Sequence, residues 1–180
     1  MKDQSGHQTI LFADICDSVR MYENMGNEMG IKIAAPSMEQ MTAITEEHGG
    51  NLIRTQGDGV KCSFPSVDSA YDAALSMQGW HRRGQCRIKV AFSHGDTVFT
   101  QDDLFGDPVH IAARLLSVAR ANEILMSGDT AQQLSADRRD NTRLLDVARV
   151  KGKSQPIDIY MVIGTPDDTS TSIKTMICST

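Results

Sequence analysis

A chain of 180 residues fits one domain and is long enough for a substantial core. Its net charge of −5 argues against a general nucleic-acid binder, which would show a basic excess, but leaves room for a local basic pocket that takes a small polyanion. Apolar residues at 40% and charged residues at 23% are ordinary for a soluble globular protein, and no window approaches the ~20 consecutive apolar residues of a membrane span.

The start, "MKDQSGHQ", lacks the apolar core of a signal peptide. A cytoplasmic protein without direct membrane insertion is therefore expected, with sensor or membrane-spanning domains still open in a longer parent chain. Cys16, Cys62, Cys86 and Cys178 have no C-x-x-C spacing, so reduced thiols are expected rather than a zinc site or a disulfide framework.

In chain order, "TILFAD" (9–14) reads as a buried strand that ends in an acid. Residues 17 to 48 read as helical in one or two pieces, with Ile31, Ala34, Ala35, Met38, Met41 and Ile44 at helical spacing. Gly49-Gly50 supplies the stop, and Pro36 is expected to kink the helix or mark a boundary. "NLIRTQGDGVKCSF" (51–64) is a hairpin around Gly-Asp-Gly, with Val60, Cys62 and Phe64 on one face of its second strand. Pro65-Ser66 opens another helix, whose inner side carries Val67, Ala70, Tyr71, Ala74 and Met77.

"RIKVAFSHGDTVF" (87–99) alternates as a strand. "DLFGDPVHIAARLL" (103–116) then leads into a helix that Asp107 can cap and whose first position suits Pro108. Val109, Ala112, Ala113 and Leu116 fall at i, i+3, i+4 and i+7, one buried stripe. His110 and Arg114 share a neighbouring face one turn apart.

Strand candidates at 123–127, 142–150 and 156–163, with a short helix near 129–135, complete the folded part. The expected architecture is α+β and ferredoxin-like: a mainly antiparallel sheet with a helix pair packed on one side. Residues 1–164 form the domain, and the polar, threonine-rich 165–180 reads as a tail or linker.

Two acids stand out by location. Asp14 ends a strand and Asp58 sits at a hairpin tip, and each also has an ordinary explanation as a turn aspartate. If their strands are neighbours, both carboxylates reach one end of the sheet, and such hard oxygen ligands suit Mg²⁺ or Mn²⁺. The helix start after Asp14, at Cys16, Asp17 and Ser18, offers backbone N–H groups to a phosphate. Asp17 or Ser18 can serve equally as a plain helix cap.

"FADICDSV", "IRTQGDG", "DLFGDPVHIAARL" and "VKGKSQPIDIY" occur in the order and rough spacing of class III adenylate and guanylate cyclase catalytic domains, and the chain resembles them over about residues 8 to 163. The resemblance implies the nucleotide cyclase fold and an active site shared between the two subunits of a homodimer. It implies two Mg²⁺ or Mn²⁺ ions held by Asp14, Asp58 and the carbonyl of Ile15. The partner would supply Arg54 and Asp103 to the purine, His110 to the ribose, Arg114 to the α-phosphate and Lys151 to the triphosphate. The reaction implied is attack of the nucleotide's own 3′-oxygen on its α-phosphorus, with pyrophosphate leaving.

Donors and acceptors then favour ATP over GTP. Asp103 accepts from the 6-amino group of adenine and Arg54 donates to its N1, whereas guanine presents the reverse of both. Two positions depart from the family pattern. Arg54 stands where adenylate cyclases carry lysine, and His110 stands where the family carries a ribose-orienting asparagine. Both departures bear on turnover, since misplacement of ~1 Å can cost around 10²-fold. The alternatives to an active enzyme are a cyclase-like dimer that senses nucleotide or transmits a signal without turnover, and an α+β interaction domain with no nucleotide site.

Overall fold

The computed structural model describes residues 4–84, 86–100, 103–149 and 155–163. The order of elements is β1 (Gln4–Ile15), α1 (Ser18–Met25), α2 (Asn27–Glu47), β2 (Asn51–Gln56), β3 (Gly59–Phe64), α3 (Val67–Arg82), β4 (Ile88–Phe99) and β5 (Leu104–Phe105). It continues with α4 (Asp107–Val118), β6 (Ile124–Ser127), α5 (Gly128–Ala131), α6 (Ala136–Arg139), β7 (Thr142–Ala148) and β8 (Ile157–Val162).

Among the described residues the strands form one sheet in the order β2-β3-β1-β4-β6-β8-β7, with β5 paired to β4. Every pairing is antiparallel except β4 with β6. In the first half, β1 and β2 point one way with β3 between them, and β3 and β4 point the other way with β1 between them. That is two interleaved βαβ units, the ferredoxin-like arrangement expected from the sequence. The helix α4 then makes the crossover that a parallel β4–β6 pair requires. No described helix is long and apolar enough to cross a membrane.

Alternation along β1 divides the core. Leu11, Ala13 and Ile15 join Cys62, Phe64, Val90 and Phe92 against Met41, Ile44, Ala70 and Met77 of α2 and α3. Ile10 and Phe12 face the other way, against Leu104 and Ala112, while Ala91 and Leu125 meet Leu115. Helices thus cover both faces at the centre of the sheet, not one face only. Burying a single Phe or Leu here contributes roughly 1.5–3 kcal/mol, so a two-sided centre holds β1 and β4 firmly.

The helical region over 17–48 is in two pieces, within the expectation, while Pro36 and the start and face of α4 depart from it. The long helical region breaks at Gly26 (φ 80°), a backbone conformation open to glycine. Pro36 lies inside α2 and ends nothing. The helix α4 is preceded by Gly106 in the cap position, with Asp107 as its first residue. Its buried line is Pro108, Ala112 and Leu115, with Val109 and Leu116 half-buried and Ala113 exposed. The helix is therefore turned by about one residue from the stripe read in the sequence.

The last strand pair runs 142–148 and 157–162, slightly shorter than expected. Of the helix expected near 129–135 only the short α5 (Gly128–Ala131) forms, and a second short helix, α6 (Ala136–Arg139), follows beyond that range. Cys16, Cys62 and Cys86 are free thiols. The tail expected over 165–180 lies outside the described residues, as does Cys178.

Candidate active site

The sheet brings the two acids together. Asp14 lies opposite Gly59 in the β1–β3 ladder, and Asp58 immediately precedes that glycine in the hairpin turn. The Ile15 amide donates to the Asp58 carbonyl at 3.3 Å, tying the strand end to the hairpin tip. Gly59 permits the approach, because a Cβ there would lie 2.7 Å from the Ala13 carbonyl oxygen and 3.0 Å from Asp14 Oδ1.

Burial raises the pKa of Asp14, Lys89 pulls it back, and the charge of Asp58 raises it again. Lys89, directly across β4 from Asp14, keeps its Nζ at 3.8 Å from Asp14 Oδ2, a loose contact that leaves the carboxylate available. A half-buried carboxylate pushed up chiefly by burial, with the Asp58 charge adding to it, suits a divalent cation, which relieves both. Among the described residues no cluster of three or more His, Cys, Asp or Glu side chains is set to hold a metal. Two aspartates with the Ile15 carbonyl nevertheless fit Mg²⁺ or Mn²⁺, ions that combine one or two carboxylates with water and substrate phosphates. The donor set matches the ion.

Tyr22 supports Asp58 from α1. Its hydroxyl donates to Asp58 Oδ1 at 3.0 Å, and its ring lies against Gly30, where a Cβ would collide with it. Desolvation and then the bond to Asp58 raise the hydroxyl's pKa, so it stays protonated as a donor. Replacing Tyr22 by Phe frees the carboxylate to rotate without opening a cavity. Any metal-dependent activity in which Asp58 serves as a ligand is expected to fall about tenfold or more, with the melting temperature nearly unchanged. Steady-state kinetics and a thermal melt check both halves.

The turn after β1 lines a cleft of about 420 Å³ with Asp14, Ile15, Cys16, Asp17, Ser18, Arg20 and Lys89. Asp17 adopts a left-handed conformation (φ 59°) and its side chain caps nothing. Its carboxylate meets Arg87 Nη2 at 3.2 Å instead. The Cys16 amide donates to the Arg87 carbonyl at 2.8 Å, so an anion in this cleft is left with the first-turn amides of α1. The Cys16 thiol is raised by burial, with Lys89 opposing and Asp14 adding.

A second group lies two residues along β3 from Gly59, on the face that α4 covers. Lys61, opposite Phe12 in the ladder, is 2% exposed. Its Nζ donates to Asp103 Oδ1 at 2.5 Å and to the Leu104 carbonyl at 2.8 Å. Arg54, across the β2–β3 ladder from Lys61, places Nη1 at 3.0 Å from Asp103 Oδ2. Burial works to raise the Asp103 carboxyl, but the bonds from Lys61 and the Leu104 amide and the two cations hold it below the usual carboxylate value.

His110 and Arg114 are exposed on α4. Neither makes a side-chain hydrogen bond or ion pair among the described residues. Ala113 and Leu116 border a cleft of about 240 Å³ shared with Asp14, Gln56 and Gly59. Of the small residues read together on this helix, only Ala113 faces open space. Lys151 lies outside the described residues.

Sequence reasoning overlooked Lys61, Lys89 and Tyr22. Lys61 alternates with Val60 and Cys62 and so reads as the wet side of a strand. The signal against that reading was "DLF", a two-residue strand plus an acid that together roof it. Lys89 sits on a strand whose neighbour could not be known. Tyr22 follows Ser18 by one turn, which places it over the start of its own helix.

A mostly antiparallel open sheet built on two interleaved βαβ units is the fold shared by nucleotide cyclase catalytic domains. The match to the adenylate and guanylate cyclase catalytic domain spans residues 1–164, and the chain belongs to that family. An adenylate cyclase of Streptomyces coelicolor is 25% identical over 129 residues, which is 71% of this chain and 34% of that protein. The chain spans about a third to a half of the length of the curated relatives it matches first.

Among solved structures, the adenylyl cyclase CyaB from P. aeruginosa superposes with a TM-score of 0.77 at 24% identity, covering 94% of this chain and all of that one. A dimeric guanylyl cyclase domain from the aquatic fungus Blastocladiella emersonii gives 0.75 at 20% identity, covering 91% and 99%. These likenesses establish the fold.

Proposed function

We propose that the protein is an adenylate cyclase, converting ATP to 3′,5′-cyclic AMP and pyrophosphate at sites shared across a homodimer in the cytoplasm. The observation that carries the reading is the convergence of Asp14 and Asp58 beside the cleft at the start of α1. Family membership and the adenylate cyclase named among its relatives support the same reaction.

Each residue then has a task set by its chemistry. Held by Asp14, Asp58 and the Ile15 carbonyl, two Mg²⁺ or Mn²⁺ ions would favour the 3′-alkoxide and neutralise the phosphates. The α1 amides would cradle phosphate oxygens. From the partner, Arg114 would set a planar fork of donors on charge developing at the α-phosphoryl group, and His110 would hold the ribose through one imidazole N–H. Lys151 would meet the triphosphate. Arg54 and Asp103 would read the adenine edge.

The test is direct. Purified protein is incubated with Mn²⁺ or Mg²⁺ and with ATP or GTP, and cyclic nucleotide and pyrophosphate are measured. Cyclic AMP formed in preference to cyclic GMP supports the reading. The presence of His110 where the family has asparagine favours one second reading, a dimer that binds nucleotide without turning it over. Nucleotide binding with no product, at protein concentrations that maintain the dimer, would decide for it.

A further inference from the structure

We infer that Lys61 is the positioning residue that makes the purine site read adenine and refuse guanine, by occupying one oxygen of Asp103. The inference rests on the assignment of Arg54 and Asp103 to the base. It adds a residue to that site and a physical reason for its selectivity.

A carboxylate has two oxygens with roughly two acceptor positions each. On Asp103, Oδ1 accepts from Lys61 Nζ at 2.5 Å and from the Leu104 amide at 2.8 Å, so both of its positions are filled. Among the described residues Oδ2 accepts no hydrogen bond and has Arg54 Nη1 as an ion-pair partner at 3.0 Å, so it is the oxygen left open to a ligand. Arg54 is 51% exposed and keeps further N–H groups facing outward. The site therefore offers a ligand one open carboxylate oxygen beside several donors.

Adenine presents the complement, a 6-amino donor beside the unprotonated N1. Guanine presents an O6 acceptor beside two adjacent donors, N1–H and the 2-amino group, and a carboxylate with both oxygens open would take those two donors side by side. Arg54 could then serve O6. Lys61 closes that mode, because it fills the oxygen the second donor would need.

The arrangement is built to last through a catalytic cycle. Lys61 is buried, and its Nζ lies 5.9 Å from the centroid of the Phe105 ring. Its two bonds join β3 to the residues that lead into α4. A buried Lys61 tied to a carboxylate and a carbonyl keeps its place.

Lys61→Met returns one acceptor position to Oδ1. The ratio of kcat/KM for ATP to that for GTP is expected to fall about 10- to 100-fold, the worth of one charge-assisted hydrogen bond. Lys61→Arg, which keeps charge and donors, should hold the ratio within about threefold of wild type if it places an N–H on Oδ1. General loss of structure lowers both substrates together and leaves the ratio alone. A folded Lys61→Met protein with an unchanged ratio overturns the inference.

The wild-type protein supplies a second test that needs no variant. GTP and inosine triphosphate differ only in the 2-amino group, so with a single open acceptor they should be used about equally. A tenfold advantage for GTP would overturn the inference even if Lys61→Met fails to fold. Should wild-type protein form no cyclic product from any nucleotide, the cyclase reading fails. Displacement of a fluorescent ATP analogue by ATP, GTP and inosine triphosphate then decides the role of Lys61 separately.

Discussion

Asp58→Ala is expected to lower cyclase turnover by about 10³-fold or more, because a bound divalent ion is worth several kcal/mol of transition-state charge stabilisation. The fold should survive. Asp58 shapes the hairpin through its backbone carbonyl, which accepts from the Ile15 amide, and that bond does not depend on the side chain. What the side chain loses is the hydrogen bond from Tyr22, whose hydroxyl can turn to water at a cost within about 1 kcal/mol.

Asp58→Asn sharpens the test. It keeps the shape and an acceptor for Tyr22 but removes the charge that a metal requires, so it too should be inactive. The measurements are cyclic AMP formation at saturating Mn²⁺ and a thermal melt of each variant. An Asp58→Asn protein that keeps a tenth or more of wild-type turnover would show that this carboxylate does not hold the reaction's metal.

Much of this site was readable from residue order because turn chemistry is local. The run Gly57-Asp58-Gly59 closes a hairpin wherever it stands between two β-like stretches, and the structure has β2 and β3 on either side of it. The position of the break within 17–48 has an equally local reason. Proline is the stronger breaker on average, yet Pro36 sits in the body of α2, while Gly26 supplies the positive φ that separates α1 from α2.

Side-chain orientation was harder, because it depends on what covers the second face of a sheet. Alternation in β3 assigns Lys61 and Ser63 to water only if nothing lies over them, and both are buried. The orientation of α4 was ambiguous from the start. Pro108, Ile111, Ala112 and Leu115 have the same i, i+3, i+4, i+7 spacing as Val109, Ala112, Ala113 and Leu116, and the sheet selects the first set. The pairing of Arg54 with Asp103 and Lys61 joins parts of the chain that no local pattern connects.

The exposed pair on α4 leads to the second large effect. Arg114→Ala and Asp14→Ala should each be nearly inactive, the first by about 10²–10³-fold for loss of an oriented donor on the reacting phosphoryl group. If acids and guanidinium meet only across the dimer, a mixture of the two variants should regain turnover. In an equal mixture with free exchange, half of the dimers carry both chains, and each of these has one intact site and one doubly damaged site. Activity should then approach about a quarter of wild type at the same total protein.

The alternative, in which each protomer completes its own site, predicts no recovery at any ratio. Differently tagged chains that co-purify establish that exchange has taken place. Arg114 makes no side-chain hydrogen bond or ion pair among the described residues of its own chain, so its removal should leave the protomer's stability within about 0.5 kcal/mol of wild type. Loss of activity in the single variant and its return in the mixture then both report on catalysis across the interface. Proven heterodimers that stay inactive would remove the shared site from the mechanism.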